Sequence, residues 1–188
     1  MKLIVRKESW KLFALKAAIV LALLWVAGTS FAGRYRIGYD PQLERCLPNH
    51  SVYLIDLKDK ELHRDAIYAF SAKGMEPLYD DGTRMLKVLS GMPGDTVEVN
   101  KNWEVVVNGE VKQVGLQLAN KLNVPASHFF GKGVLPEKHY WFLGESISSF
   151  DSRYWGAVKD EQIIGTAHIR FSKLSVLVAY SHFKFCCC

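Results

Sequence analysis

A cysteine and a lysine in unlike surroundings give this sequence its clearest chemistry. Cys46 carries a thiol, which is a strong nucleophile in its thiolate form. Lys87 lies within the otherwise apolar run MLKVL at 85–89. An ammonium group taken out of water loses affinity for its proton, so a lysine in such a run can act as a general base near neutral pH. The two residues therefore predict a nucleophile and a base.

A third segment, GESISSFDSRYWG at 144–156, is dense in short hydroxyl side chains and also carries an aspartate and an arginine. Side chains of this kind supply hydrogen bonds that can hold a catalytic lysine in place. A dyad of Cys46 with His50 is conceivable, although residues so close in sequence do not easily face one another. Ser51 is another conceivable nucleophile, but it begins a predicted strand. The histidines show no pair at metal-ligand spacing, so we expect no metal and no cofactor.

Short runs of β-branched and aromatic residues follow residue 33, and Gly, Pro, Asn and Asp separate them. This pattern is typical of strands joined by turns. The dipeptide Asn108-Gly109 predicts a tight hairpin, because both central residues of a type I′ turn need positive φ. No long helical period interrupts the runs, so we expect a mainly β domain with a coiled antiparallel β-sheet. The predicted strands are 51–57, 65–70, 84–90, 95–99, 103–107, 140–143, 163–171 and 174–179.

The segment 115–139 is less regular and contains two prolines and three glycines. We interpret it as a long loop or a small subdomain. Loops of this length are uncommon inside compact domains and are often functional, so this one is a candidate border of a binding cleft. An ordinary insertion is the alternative.

Charge and hydropathy divide the chain. Of the net charge of +5, residues 1–16 hold +4, from five cations against Glu8. The body is nearly neutral and has no basic stripe interleaved with aromatic residues, so we expect no nucleic-acid partner. An apolar run at 17–33, extendable back to residue 12 across Lys16, is long enough to span a bilayer. The basic flank predicts that the start of the chain stays cytoplasmic and that the body is exported.

The apolar run also fits a cleavable secretory signal, because Ser30-Phe31-Ala32 has the small-x-small pattern of a cleavage site. Export of the body follows from either interpretation. We therefore expect four parts: a cytoplasmic basic segment at 1–11, a transmembrane anchor or uncleaved signal at 12–33, a catalytic domain at 34–180 and a cysteine-rich tail at 181–188.

The tail ends in the triplet Cys186, Cys187 and Cys188. The triplet has no metal-ligand spacing, and adjacent cysteines rarely satisfy disulfide geometry with each other. Three interpretations of the triplet remain open: a frayed end of no consequence, a site of an intermolecular disulfide, or a tail that is removed by processing.

Three boxes follow one another along the body. The pattern Lys-x-x-x-Gly-x-Pro-Gly-Asp is intact from Lys87 to Asp95. The run PEKHY at 136–140 leads to Gly144, the run SFDSRYWG occupies 149–156, and IGTA follows at 164–167. Together these boxes resemble those of the signal peptidase I family, serine/lysine endopeptidases that remove leader peptides at the outer membrane face. The resemblance extends from about residue 35 to residue 171.

The resemblance implies a role for each matching position. Cys46 stands where the family has its serine nucleophile, and Lys87 stands where it has the general base. Ser149 is implied to orient the lysine by a hydrogen bond, and Asp151 and Arg153 are implied to form a supporting salt bridge. The positions implied to line the substrate cleft or its turn are Pro48, Gly91, Pro93, Gly94, Asp95 and Gly144.

The nucleophile box departs from the housekeeping pattern Ser-x-Ser-Met-x-Pro-Thr. Pro48 lies two places after Cys46, and Glu44 replaces the earlier serine, which helps build the oxyanion hole in the family. Loss of such a donor typically costs about 10²–10³ in rate, although the backbone N–H of Cys46 can still donate. The short Cys-Leu-Pro box, the single membrane segment and the compact body resemble the conjugative-transfer branch, the TraF-type peptidases that mature pilin subunits.

A thiol beside an ammonium also permits a second mechanism. Cys46 and Lys87 can rest as a thiolate/ammonium pair. Lys87 would then stabilise the nucleophile and later donate a proton to the leaving amine. The alternative is that Cys46 is a drifted position in an inactive homologue.

We therefore predict a single-pass endopeptidase of the bacterial inner membrane with a periplasmic catalytic domain. Its expected partners are membrane lipid and an exported, pilin-like precursor, from which it removes the leader, with cyclisation of the product as a further outcome. The sequence does not fix an oligomeric state. The alternatives are a catalytically inactive, membrane-tethered binding protein of pilus assembly and a housekeeping signal peptidase.

Overall fold

The computed structural model describes residues 9–40, 46–47, 51–76 and 79–171, with side chains up to residue 168. The chain divides into two compact units, Met1–Tyr35 and Arg36–Cys188. The predicted strand at 174–179, the predicted tail at 181–188 and Pro48 lie outside the described residues.

The first unit contains helix α1, Trp10–Arg34, which has 25 residues. Apolar side chains are spread around the helix, and none of its residues is buried. By length and composition α1 is able to cross a membrane, and a signal sequence near an N-terminus meets the same test. The helix begins two residues before the predicted anchor at 12–33 and ends one residue after it.

The rest of the described chain is mainly β. Two short helical turns of the 3-10 type, Ala126–Phe129 and Asp160–Gln162, interrupt it. A single α-helical turn, α2, occupies Ser152–Trp155. The strands in the described residues are β1 Tyr35–Tyr39, β2 Val52–Asp56, β3 Ile67–Ser71, β4 Arg84–Gly91, β5 Thr96–Val99, β6 Glu104–Val107, β7 Glu110–Val114, β8 Gly131–Val134, β9 His139–Leu143, β10 Val158–Lys159 and β11 Ile163–Phe171.

These strands form two sheets. The larger sheet has seven strands in the order β1-β2-β11-β3-β4-β9-β10, and the smaller has four in the order β7-β6-β5-β8. Every pairing whose register is described runs antiparallel. The prediction of a mainly β, antiparallel fold with one N-terminal apolar helix is confirmed.

Strand β4 brings the candidate base into the interior of the larger sheet. It lies between β3, where Tyr68 pairs with Lys87, and β9, where Leu143 pairs with Val88. Only its first and fifth residues are partly exposed. Buried positions of a strand flanked and covered in this way are expected to be mostly apolar, and Lys87 is the charged residue among the buried positions of β4.

The buried apolar side chains form three clusters, and β4 contributes to two of them. The first contains Phe70 and Phe142, whose rings stack with their centroids 4.9 Å apart, together with Met85 of β4. The second contains Cys46 and Leu86 of β4. The third includes four valines from β5 and β6 of the smaller sheet, which are half of its buried members.

The predicted hairpin joins β6 to β7. Asn108 has φ 52° and Gly109 has φ 86°, as a type I′ turn requires. Val107 pairs with Glu110 directly across the turn. The hairpin prediction is confirmed.

The interpretation of 115–139 as a loop is wrong in part. Gly131–Val134 form strand β8, which pairs with β5 at the edge of the smaller sheet. Its sequence, GKGV, has glycine at two of four positions, and glycine is depleted in strands, so the pattern concealed it. Strands β1 and β10 and the turn α2 were also not predicted.

Candidate active site

The amine of Lys87 lies between a sulfur and a hydroxyl. Its Nζ donates to Cys46 Sγ at 3.1 Å and to Ser149 Oγ at 2.8 Å. All three side chains are completely buried. The structure thus brings together three of the residues singled out in the sequence, from three segments that are far apart along the chain.

Backbone hydrogen bonds hold Cys46 against the turn that follows β9. Its carbonyl oxygen accepts from the N–H of Glu145 at 2.7 Å and from the N–H of Ser146 at 3.3 Å. The next residue, Leu47, is buried in the same cluster as Cys46. These contacts fix the backbone that carries the sulfur.

The sulfur of Cys46 is disulfide-bonded in this structure. The atom that accepts from Lys87 is therefore a disulfide sulfur, which stands in the position of the thiol of the reduced chain. The other cysteines, Cys186, Cys187 and Cys188, lie outside the described residues.

Gly144 lies at a point where no side chain fits. A Cβ added there would overlap Ser149 Oγ and would come within 3.2 Å of Cys46 Cβ. Its backbone N–H donates to Asp151 Oδ2 at 3.0 Å. The glycine therefore allows the nucleophile segment and the Ser149 loop to approach each other.

Asp151 and Arg153 form a buried ion pair beneath the Ser149 loop. Arg153 Nε donates to Asp151 Oδ1 at 2.7 Å, and Nη2 donates to Oδ2 at 2.8 Å. The guanidinium also donates to the carbonyl oxygens of Gly115 at 2.8 Å and Ser149 at 2.9 Å. A buried ion pair is tolerated when its remaining hydrogen-bonding groups are satisfied in this way, so the pair anchors the loop that carries Ser149.

Burial also affects Tyr154, the next residue along. Its hydroxyl accepts from the N–H of Leu118 at 3.2 Å. Desolvation raises the pKa of Tyr154 above its ordinary value, outweighing the opposing effects of that hydrogen bond and of the Arg153 guanidinium. The phenol therefore stays neutral, and its hydrogen bond links the α2 turn to the segment around Leu118.

Gln113 of β7 is a contact that the sequence did not reveal. Its Nε2 donates to the carbonyl oxygen of Gly144 at 2.9 Å. Polar residues are ordinary in a hairpin strand, so no local signal marks this one. The hydrogen bond ties the smaller sheet to the backbone beside Cys46.

The turn from Gly91 to Asp95 links β4 to β5. A Cβ at Gly91 would lie 2.9 Å from Trp141 Cβ and 3.0 Å from Leu135 Cδ1, so the backbone packs tightly there. Gly94 has φ 87°, which favours glycine. Pro93 lies between them in the same turn. From the sequence, Gly91, Pro93 and Gly94 are expected in the substrate cleft or in its turn. The contacts described above are those of residues in the turn.

Asp95 is the hydrogen-bonding centre of that turn. Its carboxylate accepts from Met92 N–H at 2.6 Å and from Asn108 Nδ2 at 2.6 Å, and it pairs with Arg64 Nη2 at 2.8 Å. Burial by itself raises the pKa of Asp95, but the hydrogen bonds and the Arg64 charge outweigh it, so the pKa lies below its usual value. The carboxylate therefore joins β4, the β6–β7 hairpin and the segment before β3.

Comparison with known proteins gives concordant matches. The family model described as "Signal peptidase, peptidase S26" matches residues 9–172. "Probable signal peptidase I-2" from Synechocystis sp. is 34% identical over 87 residues, which are 46% of this chain and 37% of that protein. "Signal peptidase I S" from Bacillus subtilis is 32% identical over 102 residues, which are 50% of this chain and 55% of that protein. The matched region thus spans about half or less of the length of these curated relatives.

A solved structure is also similar. The crystal structure of a signal peptidase I from Enterococcus faecalis V583 is 29% identical and covers 58% of this chain and 98% of that chain, with a TM-score of 0.37.

Proposed function

Because the chain belongs to the signal peptidase family, peptidase S26, we propose that it is an active endopeptidase that removes the leader from an exported precursor protein. Cys46 is the proposed nucleophile, and Lys87 is its general base or ion-pair partner. Ser149, Asp151 and Arg153 are proposed to position Lys87. The predicted hydrolase class follows from membership of the family.

The contact of Lys87 Nζ with Cys46 Sγ and Ser149 Oγ carries this proposal. A buried ammonium is unfavourable unless it is paired, and a methionine of similar length would fill the same space without that cost. A lysine that touches a potential nucleophile and an orienting hydroxyl is therefore better explained by chemistry than by packing.

The reaction follows from these contacts once Cys46 is reduced. Its sulfur attacks the carbonyl carbon of the scissile peptide bond, and a carbon–sulfur bond forms. Lys87 donates a proton to the departing amine as the carbon–nitrogen bond breaks, which leaves a thioester on Cys46. Lys87, now neutral, accepts a proton from water, and the resulting hydroxide attacks the thioester carbon. The carbon–sulfur bond then breaks, so that the Cys46 thiolate and the Lys87 ammonium are restored, and the leader leaves as a carboxylate after its carboxyl proton passes to solvent.

We propose the backbone N–H of Cys46 as a donor to the oxyanion of the tetrahedral intermediate. Donors of this kind typically contribute about 10²–10³ in rate. Glu44, which occupies the position of the second donor of the family, lies outside the described residues.

The proposed substrate is a conjugative pilin precursor. The support is the sequence of the nucleophile box, in which Cys46, Leu47 and Pro48 resemble the TraF-type branch. Where the segment removed is a C-terminal propeptide instead, the acyl group of the product stays on Cys46, and the product's own N-terminal amine can replace water at the thioester, which would join its two ends. A housekeeping signal peptidase is the second candidate, and the names of the curated relatives favour it.

Cleavage by purified wild type, Cys46→Ser and Cys46→Ala tests the proposed chemistry. The full chain is kept reduced and incubated with a leader-bearing precursor. We expect the alanine variant to lose at least about 10³-fold in kcat/KM, since removal of a nucleophile abolishes the covalent route. Full activity in Cys46→Ala would contradict the assignment of Cys46 as the nucleophile. If the wild type binds the precursor without cleaving it, the alternative of a catalytically inactive, membrane-tethered binding protein is favoured.

Alkylation of Cys46 across a pH series separates the two roles of Lys87. A thiolate/ammonium pair gives alkylation that is already fast near neutral pH. An ordinary thiol gives a rate that rises with a midpoint near about 8.5. The second outcome would favour Lys87 as a neutral general base.

A panel of precursors separates the two substrate candidates. A dedicated pilin peptidase is expected to cleave one pilin-like precursor with a far higher kcat/KM than unrelated leader-bearing proteins. Comparable values across the panel would contradict the pilin assignment and favour the housekeeping enzyme. Intact mass of the product distinguishes a linear from a circular chain, because cyclisation removes one water.

A further inference from the structure

We propose that Gln113 is a positioning residue for the nucleophile, and that strand β7 of the smaller sheet holds the backbone of Cys46 in its reactive position through this side chain. The inference rests on the proposed function, in which the Cys46 sulfur attacks the precursor. It goes beyond that function because Gln113 lies outside every box on which the family resemblance rests, and because it gives the smaller sheet a part in catalysis.

Gln113 reaches the nucleophile through one peptide unit. Its Nε2 donates to the carbonyl oxygen of Gly144 at 2.9 Å and lies 3.4 Å from the carbonyl oxygen of Glu145. The N–H of Glu145 belongs to the same peptide unit as the Gly144 carbonyl, and it donates to the carbonyl oxygen of Cys46 at 2.7 Å. A chain of two hydrogen bonds therefore leads from Gln113 to the backbone of Cys46. Hydrogen bonds in such a chain polarise and strengthen one another.

A β-bulge directs Gln113 toward this peptide unit. Val106 pairs with Val111 across the hairpin. The next pair joins Val105 to Gln113, so Lys112 is the inserted residue of the bulge. Residues opposite each other in an antiparallel pair project from the same face, and Val105 is fully buried. The bulge thus brings a polar side chain to the core-facing side of the sheet, as bulges beside active sites commonly do.

The end of β7 is itself held in place. The Oε1 of Gln113 accepts from the N–H of Val114 at 3.1 Å. The N–H of Gly115 donates to the carbonyl oxygen of Trp103 at 2.7 Å. The carbonyl oxygen of Gly115 accepts from Arg153 Nη1 at 2.8 Å. Gln113 is therefore carried by a segment that is tied both to the β5–β6 turn and to the α2 turn.

The backbone of Cys46 has to place two groups for the reaction. The sulfur must meet the carbonyl carbon of the precursor, and the N–H proposed as the oxyanion donor must point at the carbonyl oxygen. A misplacement of about 1 Å can cost about 100-fold in rate. Gln113 is not proposed to touch the precursor, so loss of its hydrogen bond should lower kcat and leave KM unchanged.

The test compares Gln113→Met with Gln162→Met in the full chain, kept reduced in detergent. Gln162 is a matched control because its Nε2 also donates to a distant backbone carbonyl, that of Ser71 at the end of β3, at 2.9 Å. Its Oε1 likewise accepts from a backbone N–H, that of Lys159, at 2.9 Å. The two substitutions therefore remove the same kinds of hydrogen bond, and only the first acts on the backbone next to Cys46.

Gln113→Glu is the second variant. Its ionised carboxylate keeps the shape of the side chain and an acceptor oxygen, but it has no proton to donate. Cleavage of a leader-bearing precursor gives kcat and KM for each protein. Hydrogen exchange of the segment 144–146 reports the Glu145 N–H, and thermal unfolding reports whether each variant is folded.

We expect both Gln113 variants to lower kcat by about 10- to 100-fold, with KM unchanged. We also expect the Glu145 N–H to exchange faster in both variants, by up to about tenfold, because one hydrogen bond of the chain is lost. Gln162→Met should keep the kcat, the KM and the Glu145 exchange rate of the wild type. If Gln113→Met does not fold, Gln113→Glu decides by the same criteria.

The positioning role is overturned if the kcat of the Gln113 variants equals that of the wild type, if only their KM changes, or if Gln162→Met loses as much kcat. It is also overturned if the Glu145 exchange rate does not change. In each of these cases an active wild type and an inactive Cys46→Ala variant leave the proposed function intact. A wild type that does not cleave, or a Cys46→Ala variant that does, contradicts the proposed function, and the positioning role with it.

Discussion

At position 87 a charged side chain fills a place in β4 where an apolar one would pack equally well. We expect Lys87→Met to lower kcat/KM by about 10²–10⁴, the usual contribution of a general acid–base group. We expect its unfolding midpoint to stay unchanged or to rise, because methionine removes a buried charge and keeps the volume. Activity assays and thermal unfolding check both.

Lys101→Met is the matched control for that change. Lys101 is exposed in the turn between β5 and β6. Neither activity nor stability should change measurably, since exposed substitutions are usually within about 0.5 kcal/mol. Retention of full activity in Lys87→Met would remove the lysine from the mechanism.

Gly144 gives a second residue-scale prediction. Gly144→Ala places a methyl group where Ser149 Oγ lies and close to Cys46 Cβ. We expect the loss of the Lys87–Ser149 hydrogen bond and a fall in kcat/KM, with a destabilisation of about 1–3 kcal/mol from overpacking.

Gly131→Ala supplies the comparison for Gly144→Ala, because nothing lies within 4 Å of a Cβ at Gly131. It should leave activity intact. Equal losses in the two variants would show that the close approach at Gly144 is not the cause.

Site residues could be predicted from the sequence where they belong to contiguous sequence motifs. The roles of Lys87, Ser149, Asp151 and Arg153 were implied by the resemblance of their boxes to those of the signal peptidase I family, and the structure brings Lys87 to Ser149 and Asp151 to Arg153. Gln113 was not named, because its partner is a backbone carbonyl thirty-one residues away and no periodicity encodes that contact. Hydrogen bonds from side chain to distant backbone depend on tertiary structure alone.

Among the elements, the β4–β5 turn depends on the ionised form of Asp95. Its lowered pKa means that the folded state holds the carboxylate more strongly than the unfolded chain does. The corresponding stability is fully present above the unfolded pKa and is lost as pH falls through the folded pKa. We expect Asp95→Asn to cost about 1.5–3 kcal/mol at pH 7, the range for hydrogen bonds to a charged group, and much less at acid pH.

Urea unfolding of wild type and Asp95→Asn at pH 7 and at pH 3 measures this difference. Glu98→Gln is the control, since Glu98 pairs with Lys132 in a solvated surface contact and should change stability little at either pH. A cost for Asp95→Asn that is the same at both pH values would mean that the charge of Asp95 is not responsible.

Elements with strong patterns were predictable, and irregular ones were not. β4, β11 and the β6–β7 hairpin follow β-branched runs and an Asn-Gly turn, so local propensity and tertiary position agree. β8 forms only because β5 offers it a partner edge, as Glu98 pairing with Lys132 illustrates. The two residues of β10 are too few to produce a recognisable alternation.

For the whole molecule, α1 predicts attachment to a membrane. We expect the full chain to sediment with membranes, to resist carbonate extraction and to keep the mass of the complete sequence, 21.3 kDa. Leu24→Arg should weaken insertion, because a charge near the centre of a spanning helix costs about 2.5–3.5 kcal/mol, whereas Leu24→Ala should not. A protein that begins at Gly33 would instead identify the helix as a cleaved signal.

None of the residues of α1 is buried, so the helix is available to a membrane, and this affects how the enzyme would meet its substrates. An enzyme and a precursor held in one bilayer share a thin layer, where tethering raises their effective concentration to about the millimolar range. At such an effective concentration, weak binding of the leader in the ground state is sufficient. Interactions that form only in the transition state then contribute more to turnover. Soluble leader peptides should therefore show a high KM, while membrane-inserted precursors are processed efficiently at low abundance.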